Sequence, residues 1–338
     1  MPLRDLLGHR VTTRLLSRAL AAGTLPPSLI LAGPDGVGKR QTAIAVAQAM
    51  NCLAPGRGTG GELPLDACGA CTACNRIARG IHPDVQVIEP GETGSIKIDT
   101  VREAVRATGF RPFEGRRRVI IFDSAEALGA DAQDALLKTL EEPPPSSVLI
   151  LVTSLPDQLL PTVRSRCPVV RFAPLSPSEI AAWLTGVGGL DDTRAHAVAA
   201  VAGGSLTVAR EIADTGAEGV RGAAQRVLEQ VAGARDARAK LAATRDLVGK
   251  GRAGAGERQA LAAHLHALAS LVRDLGSLST RSDHPLANAD LAPALAGLAR
   301  SFDTDRACHA FTAIDRALEA LERNASPKLV ADWIVLKL

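Results

Sequence analysis

The sequence predicts an α/β protein, with a parallel sheet and a phosphate-binding loop in its first half and packed helices in its second. Three observations predict it. Two apolar runs, 119–122 and 148–152, flank a helical pattern at 132–142, and β-rich runs separated by a helix belong to parallel strands buried on both faces. A third run, Ser28–Ala32, passes directly into a glycine loop ending Gly38-Lys39 and then into a helical pattern through Met50, the strand–loop–helix context of a P-loop. From Ala223 onward the chain reads as helix, interrupted at 249–256 and around His284-Pro285.

Composition bounds the function. With 338 residues, 46% of them hydrophobic, the chain can bury a large core and is expected to form more than one domain. A net charge of +3 neither demands nor excludes nucleic acid as a partner. Tyrosine is absent and aromatics are 2%, which argues against an aromatic platform for base stacking. No apolar run approaches ~18 residues, so no membrane span is expected. Met1-Pro2-Leu3-Arg4-Asp5 does not open a signal peptide. The expected location is cytoplasmic, where the six cysteines serve as metal ligands or buried thiols rather than disulfides.

Taken in order, residues 3–22 read as one helix, with Leu15, Leu16, Ala19 and Leu20 at helical spacing. In Gly33-Pro34-Asp35-Gly36-Val37-Gly38-Lys39-Arg40 the glycines let backbone N–H groups curl around phosphate, and the helix start adds partial positive charge. Lys39 is placed to reach the phosphates of ATP or ADP. The next position calls for Ser or Thr, whose hydroxyl binds Mg²⁺. It holds Arg40, and Thr42 faces another side of the helix. Nucleotide binding and a phosphate loop idle in hydrolysis both stand open on this motif. Cys52, Cys68, Cys71 and Cys74 follow, the last three separated by two-residue gaps. Four thiolates complete a tetrahedral Zn²⁺ shell and leave no open coordination position, so structural zinc is expected. His82 is either a replacement ligand or the start of the strand at 85–88, the second being preferred.

Residues 96–99 lead into a helix at 101–106 on which Arg102 and Arg106 share a face. A solvated face is the preferred reading and a surface tracking DNA phosphates the sharper one; Arg116-Arg117-Arg118 is open in the same way. Asp123 and Thr153 end their strands, and polar residues at the carboxyl ends of parallel strands face the ligand crevice. The Asp123 strand resembles a Walker B. An active ATPase of this kind needs Glu next, and the chain has Ser124, with Glu126 displaced onto the following turn. Arg40 and Ser124 are thus two independent defects in one hydrolytic machine.

Together, the P-loop 33–39, the four-cysteine insertion, Leu136-Leu137-Lys138-Thr139-Leu140-Glu141-Glu142-Pro143-Pro144 and Ser165-Arg166-Cys167 resemble the bacterial clamp-loader ATPase family, the gamma/tau and delta-prime subunits of DNA polymerase III. The last two motifs carry the specificity, and the resemblance covers at least residues 3–215. It implies an AAA+ P-loop core with a zinc insertion, a small helical lid, and an all-α collar domain that joins five subunits. It implies for Thr153 the sensor 1 position. For Arg166 it implies an arginine finger reaching the ATP site of a neighbouring gamma/tau subunit, where a guanidinium supplied in trans is worth about a thousandfold or more in rate. Without the resemblance, a salt-bridged arginine at a helix end is the preferred reading.

In active gamma/tau subunits the family pattern has Lys-Thr or Lys-Ser in the P-loop, Asp-Glu in Walker B, and Arg after Gly-Ser-Leu in the lid. This chain has Lys39-Arg40, Asp123-Ser124 and Gly204-Ser205-Leu206-Thr207. These departures, and an ending similar to that of delta-prime chains, set it in the delta-prime branch. The implied partners are gamma/tau and delta subunits in a hetero-pentamer, the sliding clamp, and primed DNA reached through the complex. The implied setting is the replisome, as a subunit of a DNA-directed DNA polymerase holoenzyme. No carboxylate cluster suited to two-metal polymerase chemistry is evident.

The expected domains are a core at 1–174 with its four-cysteine zinc module at about 52–74, a lid at 175–217 and a collar at 218–338. Pro174-Leu175-Ser176-Pro177 marks the first boundary, with Ser176 or Ser178 as a helix cap and Glu179 in the first turn. A linker is expected at 216–222. His264 and His266 fall on different helix faces, which argues against a shared metal, and Cys308-His309 is isolated. Leu261, Leu265, Leu268 and Val272 suit a core or a collar interface. Two competing readings are an active gamma-type ATPase and a zinc-stabilised DNA-binding scaffold without nucleotide chemistry.

Overall fold

Successive side chains of a strand point to opposite faces, so a continuous apolar run needs a hydrophobic layer on each side. The computed structural model, which describes residues 1–56, 63–91, 94–215, 217–248, 255–280, 286–288, 291–323 and 325–338, supplies both layers. It divides the chain into two compact units, Met1–Pro174 and Leu175–Leu338.

The first unit carries strands β1 (Ser28–Ala32), β2 (Val85–Ile88), β3 (Arg118–Phe122), β4 (Ser147–Thr153) and β5 (Val169–Arg171). They form one sheet in the order β2-β3-β4-β1-β5, every pairing parallel. The connecting helices are α1 (Arg10–Ala22), α2 (Lys39–Asn51), α3 (Thr72–Ala78), α4 (Ile98–Thr108), α5 (Ala130–Glu141) and α6 (Pro161–Arg164). Leu29, Leu31, Ile121 and Ile150 pack on one face with Ala43 and Val46 of α2. Ile30, Ile120, Phe122 and Leu149 pack on the other with Leu136 and Leu140 of α5. Each such fully buried aliphatic side chain contributes roughly 1.5–3 kcal/mol.

Register then fixes what meets at the carboxyl edge. Ala32 lies opposite Thr153, Phe122 opposite Leu151, and Ile88 opposite Phe122. Glu89 and Asp123 therefore leave adjacent strands side by side, and the Asp123 amide donates to the Ile88 carbonyl at 2.9 Å. At the opposite, amino edge, buried Asp84 accepts from the amides of Phe113, Glu114 and Gly115 and from Arg118 Nη2 at 3.0 Å. That cluster turns the chain from α4 into β3.

Two expectations for this unit need correction. Residues 3–22 are not one helix: a single 3₁₀ turn at Leu3–Asp5 is separated from α1 by Gly8 and His9, both with positive φ. A left-handed residue cannot continue a right-handed helix, and Gly8 makes that break inexpensive. The edge strand β5 was not expected. It is three residues long and partly exposed, so it lacks the buried apolar run that marks β1, β3 and β4.

The second unit is helical among its described residues: α7 (Pro177–Gly186), α8 (Asp192–Val201), α9 (Leu206–Thr215), α10 (Ala217–Gly233), α11 (Ala237–Ala242), α12 (Thr244–Leu247), α13 (Ala255–Ser279), α14 (Ala292–Leu298), α15 (Thr304–Glu322) and α16 (Pro327–Lys337). Ser176 caps α7 in a reciprocal capping box with Glu179. The linker expected at 216–222 is instead the start of α10 from residue 217 on. Val220, Ala223, Ala224, Val227, Leu228 and Val231 are buried at helical spacing, and that packing overrides the low helix propensity of Gly219 and Gly222. Gly216 itself, residues 249–254 of the expected interruption, and His284-Pro285 lie outside the described residues. Leu261, Leu265, Leu268 and Val272 of α13 are all buried in this unit. Among the described residues no helix is long and apolar enough to cross a membrane.

Candidate functional site

The P-loop hangs between β1 and α2. The Gly33 amide donates to the Thr153 carbonyl at 3.2 Å. A Cβ on Gly33 would collide with the Phe172 carbonyl oxygen, so only glycine fits there. Gly36 and Gly38 take positive φ of 74° and 105°, which turns the loop into the first residue of α2, Lys39. That side chain folds back into its own loop: Nζ donates to the carbonyls of Gly33 and Pro34 at 2.5 and 2.7 Å and pairs with Asp35 at 3.3 Å. The Val37 carbonyl lies 2.9 Å from His9 Nε2, and the His9 ring stands edge-on against Phe172.

Arg40, one residue into α2, reaches across the carboxyl edge of the sheet. Its guanidinium pairs with Glu89 and, at 3.4 Å, with Asp123 Oδ2. Burial raises the Asp123 carboxyl above its ordinary range, a push that the Arg40 charge opposes and the neighbouring Glu89 reinforces. Ser124 follows in the left-handed region, φ 60° and ψ 58°. Glu126 accepts from the Ser154 hydroxyl at 3.0 Å. Thr153 is buried, and its Oγ1 accepts from the Leu155 amide at 3.1 Å.

The cysteines converge from three elements. Cys52 ends α2, Cys71 caps α3 with its sulfur accepting from the Cys74 amide, and Cys74 lies inside α3. Their three Sγ atoms and that of Cys68, in the loop between α2 and α3, all lie within 4.8 Å of one another, with Cys52–Cys71 at 3.9 Å and Cys68–Cys74 at 4.0 Å. An ion bonded to four sulfurs at about 2.3 Å separates them by about 3.8 Å, so the cage has the size of a tetrahedral thiolate site. The Cys68 and Cys71 amides donate to the sulfurs of Cys52 and Cys68 at 3.2 and 3.3 Å. Burial opposes ionisation of Cys71, yet the amides of Cys74 and Leu53 bring its thiol down to about 6. Gln48 of α2 donates to the Cys74 carbonyl at 2.8 Å. His82 is outside the cage: it is buried and its Nδ1 accepts from the Asp84 amide.

Arg166 follows α6. Its guanidinium donates to Glu141 Oε1 at 2.6 Å, to the Thr162 carbonyl at 3.0 Å and to the Ser165 hydroxyl at 3.2 Å. The next residue, Cys167, is buried in the core, and its thiol is pushed up by that burial. The Leu-Lys-Thr-Leu-Glu-Glu and Ser-Arg-Cys motifs therefore meet in space through one ion pair. Glu89 and Glu141 were not picked out from the sequence. Glu89 could have been found by aligning the ends of the 85–88 and 119–122 strands; Glu141 has no local signal beyond its motif.

A family model described as DNA polymerase III, delta subunit, matches residues 8–176, half of the 338-residue chain. The chain belongs to that family. DNA polymerase III subunit delta' of Pseudomonas aeruginosa is 38% identical over 208 residues, covering 60% of this chain and 59% of that protein. The delta' subunit of Bacillus subtilis is 32% identical over 169 residues, 49% and 48% of the two chains. A gamma/tau subunit of Mycobacterium bovis is 32% identical over 181 residues, 53% of this chain and 30% of that one. The chain thus spans between about a third and three-fifths of the length of these relatives. Among solved structures, a DNA polymerase III gamma subunit-related protein of Thermotoga maritima covers 98% of this chain and 97% of its own at 17% identity, with a TM-score of 0.42. The delta-prime placement drawn from Arg40, Ser124 and Thr207 agrees with the family match and the two delta' relatives.

Proposed function

We propose that the chain is a non-hydrolysing clamp-loader subunit that helps load the sliding clamp onto primed DNA and lends Arg166 to the ATP site of a neighbouring gamma/tau-type subunit. The ion pair between Arg40 and Asp123 carries this reading. In a hydrolytic P-loop that carboxylate serves Mg²⁺, and the residue after the lysine supplies a hydroxyl to the same ion. Here the two positions are spent on each other. With Ser124 in place of a catalytic base, the chain keeps a phosphate loop without the means to split ATP. What the chain can offer to a neighbour's site is Arg166, whose side chain is about a third exposed and is held by Glu141, the Thr162 carbonyl and the Ser165 hydroxyl.

The four-sulfur cage fits Zn²⁺, whose d¹⁰ shell accepts tetrahedral thiolate ligation without a preferred distortion. Cys52, Cys68, Cys71 and Cys74 would hold it in a structural role, tying the end of α2 to α3. ATP or ADP would meet the P-loop backbone and Lys39. The partners are gamma/tau and delta subunits in a five-membered complex of the cytoplasmic replisome.

Reconstitution tests the reading. The purified chain alone should release no phosphate from ATP. Added to gamma/tau and delta subunits with primed DNA and clamp, it should raise ATP turnover, and Arg166→Ala should remove about a thousandfold of the stimulated step at the affected site. Turnover by the chain alone that disappears in Lys39→Ala would instead establish an active motor. DNA binding without any effect on partner ATPase would point to a scaffold.

A further inference from the structure

We infer that Arg4 and the buried Asp66 are positioning residues of the cysteine cage: they strap the turn at Leu3–Asp5 onto the segment that carries Cys68 and so slow the escape of the metal. This rests on the reading of the four cysteines as a zinc site. It goes beyond that reading in giving the cage a holder, Arg4, that lies 64 residues before the ligand it grips.

Three sets of contacts carry it. First, Asp66 is 1% exposed, and a carboxylate is tolerated in the interior only where hydrogen bonds and an opposite charge meet it. Three of its donors come from the turn: the Leu3 amide at 2.9 Å, the Arg4 amide at 3.2 Å and Arg4 Nη1 at 3.0 Å. The fourth is the amide of its own neighbour, Ala67, at 2.8 Å. Second, the Arg4 guanidinium continues along the same segment, donating to the carbonyls of Ala67 at 2.7 Å and of the ligand Cys68 at 3.0 Å. Pro2 packs on the next residue, Gly69, where a Cβ would come within 2.8 Å of Pro2 Cγ. Third, the Met1 nitrogen donates to Gln48 Oε1 at 3.0 Å, and Gln48 Nε2 donates to the Cys74 carbonyl at 2.8 Å. Residues 1–4 therefore grip the backbone at two ligands, directly at Cys68 and through Gln48 at Cys74.

The exposure of the four sulfur residues says where the cage opens. Cys52 and Cys74 are buried, whereas Cys68 and Cys71 are half-buried, so a competing ligand reaches the site from the side of Cys68 and Cys71. The Cys68 amide donates to the Cys52 sulfur at 3.2 Å, so a shift of the Cys68 backbone loosens two sulfurs at once, its own and that of Cys52. Arg4 and Asp66 fix that backbone. Outer partners that orient metal ligands in this way govern affinity by about 10–100-fold. By linkage, the turn gains from the metal what the metal gains from the turn.

The test follows zinc leaving the loaded full-length chain for an excess of the chromogenic chelator 4-(2-pyridylazo)resorcinol. Arg4→Ala and Asp66→Asn should each release zinc about tenfold faster than wild type or more. Arg4→Lys, which keeps the charge but cannot fork to three oxygens, should fall between. Asp5→Asn removes only a half-exposed carboxylate 3.9 Å from Arg4 Nε, and it should stay within about twofold of wild type. A second measurement needs no variant: stripping zinc from wild type should speed hydrogen exchange at the Leu3 and Arg4 amides by about tenfold. If Asp66→Asn does not fold, as judged by its circular dichroism, Arg4→Lys and the wild-type exchange decide the matter. Release from both Arg4 variants at the wild-type rate, equal acceleration by Asp5→Asn, or exchange at Leu3 and Arg4 that ignores the metal would each overturn the strap. A wild-type chain that takes up no zinc would overturn the cage itself and the strap with it. Zinc-bearing wild type with unresponsive variants overturns the strap alone.

Discussion

The cysteine cage and the carboxyl edge of the sheet both gather groups that attract positive charge, and the chain treats them in opposite ways. In the cage, four sulfurs face one another and are met by backbone amides and by each other. At the sheet edge, Asp123 and Glu89 are met by the Arg40 guanidinium. A site made only of ligands depends on an ion for its order. A site that carries its own counter-ion keeps its shape without one. The first arrangement suits a structural module, the second a surface whose charges are balanced within the chain.

The largest effect should come from emptying the cage. Structural zinc in free-standing modules is worth on the order of 10 kcal/mol. Chelation, or Cys71→Ser, should open residues 63–78 to trypsin while the circular dichroism of the sheet and helices persists. Undiminished protection after complete loss of metal would mean the cage is not what orders this segment.

Next in size is a third anionic site, Asp84, which lies between the two extremes because amides and one arginine serve it together. Burial opposes its ionisation, but the amides of Glu114, Phe113 and Gly115 and the Arg118 guanidinium hold its carboxyl down to about 2, against about 3.9 in an unfolded chain. The folded value is the depressed one. Its contribution, roughly 2.5 kcal/mol, is therefore complete above pH ~4 and is lost as pH falls from about 4 to about 2. Denaturant midpoints across that range should fall in wild type and flatten in Asp84→Asn. The variant should also lose about 3 kcal/mol at neutral pH, since three amides would then face a neutral acceptor. Equal acid sensitivity of the two proteins would remove Asp84 from this role.

The smallest effect on stability should come from Arg40→Ala, within about 1 kcal/mol by urea denaturation, in keeping with a partly exposed counter-ion. A loss of several kcal/mol would mean the pair is a fold element and would erase the contrast with the cage. Glu141→Gln should likewise leave the melting midpoint nearly unchanged. It would, however, alter how readily Arg166 engages a partner, seen as a shift in the chain concentration needed for half-maximal stimulation of partner ATPase.

How much of this was legible beforehand follows from where each signal is stored. β1, β3 and β4 are buried on both faces, so each writes itself as an unbroken apolar run. The P-loop and the cysteine set are local spacings, and Arg40 and Ser124 stand out because the residue types themselves are wrong for hydrolysis. β5 carries no such run; it is three residues placed by its pairing with β1. The break at Gly8-His9 hides inside an otherwise helical pattern, since Leu3 and Leu16 are buried on either side of it. The start of α10 was masked by two glycines whose cost is offset by distant packing. Glu89 acquires its partner only through the register of two strands more than thirty residues apart in sequence, a relation that no window along the chain contains.

The close approach of Gly33 to Phe172 has a mechanical consequence. The Phe172 amide donates to the Ala32 carbonyl at 2.7 Å, and its own carbonyl leaves no room for a side chain on Gly33. Two residues later, at Pro174, the first unit ends. The phosphate loop and the stretch by which the chain leaves this unit thus lie in direct backbone contact. This glycine, often read as a point of slack, is here a point of close packing, where the phosphate loop rests directly on the backbone that leads to the end of the unit.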